Sequence, residues 1–401
     1  MSRSSRFYFD FDNHFKMLSL AWREHATRTR LYYLAVLGLG VPITAVFHAI
    51  CFALDPLLFP SLRRTNVREP VFILGHGRSG TTLTFRLISQ DEGRFSYFLL
   101  WECYFPSLLQ KKTIRAIAAL DRSLMGGVLG RLAARFDDWR YGRARHMHVM
   151  GLGLPEEDDI SLFYSMASGF WMTKMPWMGE LDFFYVDKWP KEKRRRLTTF
   201  YRELVRRELC LNGSDKYHLS KNPYWTGRVE ALIAAFPDAR FIVNMRDPRA
   251  TIPSLLKLNQ SAWKRLDWSA ERQQESIDVL IEQSWYNYRH PLEVLAAHPE
   301  VRSAILEYGD LTADPAAAIG AVYRDLELSM TDDFRKRLAE RSHREKKYTT
   351  RFTYTLEEFG LEPDLIRKQL GDLFDRFGWD DVAAGRESPP EPEPEPEKEA
   401  I

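Results

Sequence analysis

Eight residues, GHGRSGTT at 75–82, directly follow the apolar run Val71-Phe72-Ile73-Leu74 and directly precede a helical pattern over 83–89. A short run of β-forming apolar residues bounded by turn formers reads as a buried parallel strand. Glycines at 75, 77 and 80 let the backbone curl until successive N–H groups converge on one anion, and the helix behind adds its positive end. This strand–loop–helix unit commits the chain to an α/β fold: a parallel sheet flanked by helices, with a phosphate-binding loop of the nucleotide-kinase kind. Later runs agree with it. Residues 239–244 form a second strand pattern and 301–308 contain a third, while 197–209, 231–236, 269–288 and 315–326 carry helical spacing.

The loop's spacing copies the nucleotide-triphosphatase pattern G-x-x-x-x-G-K-[ST], but Thr81 stands where the lysine belongs and the cation is Arg78. Phosphoryl transfer relies on that lysine and on magnesium, because the transferred group and its neighbours are densely charged. Sulfonate carries less charge, so hydroxyls from Ser79, Thr81 and Thr82, backbone amides including those of Gly77 and Gly80, and the Arg78 cation suffice without metal. The string VFILGHGRSGTTL closely resembles the 5′-phosphosulfate loop of sulfotransferases that use 3′-phosphoadenosine 5′-phosphosulfate (PAPS), in the bacterial and protein-tyrosine branch with a G-x-x-R-S-G-T-T core.

A second motif follows in the order the resemblance requires. Arg246-Asp247-Pro248 lies just beyond the strand pattern at 239–244, where ligands of open α/β sheets collect, and Ser254 comes eight residues later. In the family these positions hold the 3′-phosphate, which a guanidinium grips through two parallel hydrogen bonds. By the same resemblance Lys221, in Lys221-Asn222-Pro223, contacts the oxygen next to sulfur and stabilises charge growing on the leaving phosphate. Tyr308, in Tyr308-Gly309-Asp310-Leu311, lies near the nucleotide.

An attacking hydroxyl must lose its proton. Glu102, about twenty residues past the loop and before a proline, matches the glutamate of protein-tyrosine sulfotransferases and is the first candidate base. His146, His148 and Glu156, the last in the acidic run Glu156-Glu157-Asp158-Asp159, remain alternatives. His146-Met147-His148 has no further ligand cluster at suitable spacing, so no metal is expected.

The 57 basic and 55 acidic residues leave a formal net charge of +2, so no global field favours nucleic acid, and anion binding must be local. Cys51, Cys103 and Cys210 are too sparse for a disulfide scaffold and read as isolated thiols. Residues 31–54 lack any Lys, Arg, Asp or Glu over about the length that spans a bilayer. Pro42, Gly38 and Gly40 interrupt that run, which leaves a kinked spanning helix, a re-entrant hairpin and a buried helical pair open.

The expected organisation is a basic segment 1–66 with a membrane-associating stretch 31–60, a sulfotransferase domain 67–384, and a disordered acidic Pro/Glu tail 385–401. Deleting residues 1–62 is expected to release the remainder from membranes. Attachment would face the cytoplasm in a bacterium or the Golgi lumen in a eukaryote. Phe163, Tyr164, Phe170, Trp171 and Trp177, with the basic run 188–196, point to an amphiphilic hydroxyl acceptor, lipid or glycan. A non-catalytic nucleotide-binding scaffold and a small-molecule kinase stay open as rivals.

Overall fold

The structure, a computed structural model, describes residues 6–24, 27–142, 150–345 and 356–380. His146, His148 and the tail 385–401 lie outside them. Among the described residues, five parallel strands form one sheet: β1 (Val71–Gly75), β2 (Phe95–Ser96), β3 (Tyr217–Lys221), β4 (Arg240–Met245) and β5 (Ser303–Glu307), in the order β2-β3-β1-β4-β5. Every residue of β1 and β4 is buried, as expected for strands covered on both faces.

Alternation along β1 feeds two cores. Phe72 and Leu74 pack with Phe241, Tyr201 and Leu204 on one face, while Val71 and Ile73 pack with Phe85, Ile319 and Val322 on the other. The helix Lys191–Asn212 stops at Gly213, whose φ of 145° suits glycine. Helices Val229–Ala235, Ala270–Ala297 and Pro315–Asp325 match the sequence patterns within a few residues at most ends, although Ala270–Ala297 runs nine residues further. Strand β3 carries no long apolar run, and periodicity alone did not reveal it.

The apolar N-terminal run forms one continuous 31-residue helix, Arg28–Leu58, and not a hairpin. A π turn at Val36–Gly40 widens the backbone just before Pro42, so the ring meets a register already shifted: the Val41 amide donates to the Val36 carbonyl. One face of this helix is built into the enzyme. Tyr33, Leu37, Val41 and Phe52 join the same core as Phe72, Met17 and Leu20, so the chain packs across the 66/67 boundary expected from sequence. Asp55, fully buried, pairs with buried Arg207 at 2.6 Å and accepts from the amides of Leu108 and Leu109.

Candidate active site

Strand β1 lies between β3 and β4, so the loop leaving its carboxyl end opens where the chain has crossed to both sides of it. Gly75 (φ 145°), Arg78 (φ 74°) and Gly80 (φ 95°) turn the loop over, and the helix Thr81–Ile88 starts at its end. The first amides of that helix have no intrahelical acceptor and face the loop's concave side. Side chains are excluded where the loop is tightest. A Cβ at Gly75 would come within 2.4 Å of the Asn244 carbonyl oxygen, and one at Gly80 within 2.7 Å of the Tyr308 ring.

Ser79 Oγ, fully buried, has no hydrogen-bond partner among the described residues. A buried hydroxyl without a partner is costly, and an oxyanion seated in the loop would satisfy it. His76 fixes the loop from behind. Its Nδ1 lies 2.6 Å from the Gly77 carbonyl and therefore carries the proton, which leaves Nε2 facing the Ser284 hydroxyl at 2.9 Å. The ring stacks on Tyr288, and burial pushes its pKa down to about 4, against that carbonyl contact, so it is neutral. Nothing in the spacing of the loop's sequence marks His76 for this role, which only its burial against Tyr288 and Ser284 shows.

The two motifs, 168 residues apart in sequence, converge. Arg78 Nε donates to Ser254 Oγ at 3.1 Å, and Arg246 donates to the Arg78 carbonyl at 3.0 Å. The Arg246 guanidinium also sits 4.1 Å from the centroid of the Tyr308 ring, which itself covers Gly80. Tyr288 donates to the Arg246 carbonyl and fixes the strand end from below. Arg78, Ser254, Arg246, Tyr308 and the loop thus form one basic rim around the carboxyl ends of β1 and β4. Thr81 is buried at the start of the helix and Thr82 half-buried beside it.

Lys221 ends β3, paired in register with Ile73 of β1, one residue beyond which stands Leu74 and then the loop. It is 2 % exposed, and its ammonium donates to Glu157 at 2.8 Å with Glu156 at 3.8 Å. Burial alone would lower its pKa, but Glu157 and then Glu156 outweigh it and the net shift is upward. Lys221 is therefore charged. Glu156, an alternative base from sequence, is here, but its neighbour Glu157 lies closer to the lysine.

Glu102 is elsewhere. It is 0 % exposed, caps the Leu99 amide at 3.2 Å, pairs with Arg115 at 3.1 Å and accepts from Asn212. Lys221 is not among those contacts, which tie the carboxylate to Leu99, Arg115 and Asn212. The aromatics suggested for an acceptor surface are largely core. Trp171 stacks on Phe163 at 3.9 Å and donates to its carbonyl, and Trp177 is fully buried. Lys193, Arg194 and Arg195 of the basic run are ion-paired to Asp10, Glu230 and Glu192. Cys51 and Cys103 are buried free thiols, and Cys210 is half-buried.

Known proteins resemble this chain in sequence and in fold. The chain is 25% identical over 325 residues to the omega-hydroxy-beta-dihydromenaquinone-9 sulfotransferases Stf3 of Mycobacterium bovis and Mycobacterium tuberculosis, covering 78% of this chain and 75% of theirs. The crystal structure of sulfotransferase STF9 from Mycobacterium avium superposes with a TM-score of 0.64 at 19% identity, over 92% of this chain and 97% of that one. That of STF1 from Mycobacterium tuberculosis does so with 0.59, also at 19%, over 90% and 93%. The profile of the Sulfotransferase family matches residues 70–332, a span that holds the loop, Lys221, Arg246 and Tyr308, and the chain belongs to that family.

Proposed function

We propose that this sulfotransferase takes sulfonate from PAPS and passes it to a hydroxyl on a lipid acceptor. The observation that carries the donor assignment is the joining of the glycine loop to Arg246 and Ser254 through Arg78, which suits a nucleotide that is anionic at both its 5′ and 3′ ends. The loop suits the 5′-phosphosulfate: its amides and the unpartnered Ser79 hydroxyl meet several oxygens at once. Arg246 and Ser254 suit the 3′-phosphate, and Tyr308 would border the nucleotide. Arg78 faces both.

PAPS supplies an activated sulfonate. The chain supplies the charges around it. Lys221, kept as an ammonium, counters negative charge that grows on the leaving phosphate oxygen and is worth more in the transition state than before it. Glu157, with Glu156 behind it, is the base in this reading in place of Glu102, because its carboxylate is partly exposed beside Lys221. It takes the acceptor's proton as the hydroxyl oxygen bonds to sulfur. Support for a lipid acceptor comes from the mycobacterial relatives, named as omega-hydroxy-beta-dihydromenaquinone-9 sulfotransferases, and from the apolar N-terminal helix.

The test is transfer from sulfur-labelled PAPS into a lipid extract. Label in the organic phase supports the reading, whereas label confined to protein or soluble sugar overturns the lipid acceptor. Failure to bind adenosine 3′,5′-bisphosphate overturns the donor. Glu157→Gln should lower kcat by about 10²-fold or more while binding the bisphosphate like the wild type, and Glu102→Gln should affect stability before kcat. The reverse pattern would return the base to Glu102.

A further inference from the structure

The helix Arg28–Leu58 has two apolar faces. The one holding Tyr33, Leu37, Val41 and Phe52 is buried, while Leu39, Ile43, Val46, Ile50, Leu54 and Leu57 recur at three- and four-residue spacing on the opposite side and are exposed, Leu57 by 69 %. At 1.5 Å per residue this outer stripe runs for about 27 Å. Two further elements expose apolar residues of the same kind. On the preceding helix, Phe11–Arg23, these are Phe11, Phe15 and Trp22, and Phe15 and Trp22 border an open groove of ≈ 500 Å³ that Leu34 of the long helix also lines.

The third element is a hairpin of helices Leu108–Leu124 and Val128–Tyr141, the first of which packs on the long helix. Its turn is locked by Asp121, which accepts from the amides of Leu129 and Gly130 at 2.9 Å. That rigid tip presents Leu124 (78 % exposed), Met125 and Leu132 to the outside, with Trp139 (75 %) further along. Apolar patches of this extent on a soluble surface mark an interaction site.

Charge decides the occupant. Residues 11–64 hold six basic and three acidic side chains and residues 108–141 hold seven and three, so these segments carry +7 in a chain of net +2. A two-fold dimer through this face would set the patch against itself, like charge on like charge. An anionic bilayer is attracted instead, at about fivefold in affinity for each basic side chain near it.

We infer that the protein docks on one leaflet of an anionic membrane through the long helix, the first helix and the hairpin tip, and does not cross it. The long helix cannot stand upright in the bilayer, because its inner face, with Asp55 paired to Arg207, lies along the body of the enzyme. It lies in the interface as an amphipathic helix does, and the ≈ 500 Å³ groove takes an acyl or prenyl chain. This docking does not depend on which hydroxyl is sulfonated.

The test floats full-length protein with vesicles of phosphatidylcholine alone or with a quarter phosphatidylglycerol. Flotation with the anionic vesicles and release by alkaline carbonate are expected. Ile43→Glu with Ile50→Glu should cut the floated fraction by roughly tenfold or more. Leu124→Ser with Trp139→Ser should do the same from a different element. Arg122→Glu with Arg135→Glu should weaken binding by at least about fivefold per site, on anionic vesicles only. Adenosine 3′,5′-bisphosphate affinity, measured on every variant, should stay at the wild-type value, which separates loss of docking from loss of fold or of the donor site. No flotation with anionic vesicles, retention through carbonate, or a concentration-dependent dimer abolished by the Ile43 and Ile50 substitutions would each overturn the inference.

Discussion

Arg246 ties together two parts of the site, since it holds the loop through the Arg78 carbonyl and lies over Tyr308. Arg246→Ala removes charge-assisted bonds of about 1.5–3 kcal/mol, so affinity for adenosine 3′,5′-bisphosphate should fall roughly 10- to 100-fold by calorimetry. Arg246→Lys should recover only part of it, because an ammonium cannot present two parallel donors. Gly80 makes the complementary case. At φ 95° with the Tyr308 ring where a Cβ would go, Gly80→Ala strains the backbone and displaces the tyrosine from Arg246. A stability loss of about 1–3 kcal/mol by chemical denaturation, with weaker bisphosphate binding, is the expected result.

Among elements, β3 carries both the Lys221 ammonium at its end and a buried charge network at its start. His218 Nε2 lies 2.8 Å from Asp158 and Nδ1 lies 3.0 Å from Glu208, which also accepts from Ser96. Burial alone would lower the imidazole pKa, but Asp158 and then Glu208 raise it to about 9. A raised folded pKa means stability that is complete below the unfolded value of 6.5 and lost as pH climbs through 9. The loss should be on the order of 3 kcal/mol across that window, read as a falling Tm, with the imidazole titrating near its upper end by NMR. Asp158→Asn should move the fall to lower pH. The network also fixes Asp158 directly behind Glu157, so it stiffens the carboxylate that faces Lys221.

For the whole molecule, the N-terminal 62 residues are part of the enzyme and not a detachable anchor. Met17, Leu20, Leu37 and Phe52 belong to the main core, and Asp55 neutralises Arg207 in the interior. Removing one partner of such a pair costs about 3–5 kcal/mol, which is comparable with the entire stability of many domains. Deletion of residues 1–62, expected from sequence to release the remainder from membranes, should therefore give insoluble protein without bisphosphate binding. Soluble expression of that truncation with wild-type affinity would contradict the packing described.

The parts legible in sequence were those written in contiguous residues. A strand, three glycines and a helix start within eighteen residues specify the strand–loop–helix turn proposed to hold an anion, and Arg246 follows a second legible strand, because period and turn chemistry act over neighbouring positions. Tertiary structure alone decided which carboxylate meets Lys221, since Glu157 is 64 residues away and Glu102 is drawn off by Arg115 and Asn212. It also decided the fate of the long helix. Hydropathy sums a segment's apolar content without regard to faces, and only packing shows that one face is covered by the enzyme, with a charge paired across 152 residues, while the other is left bare.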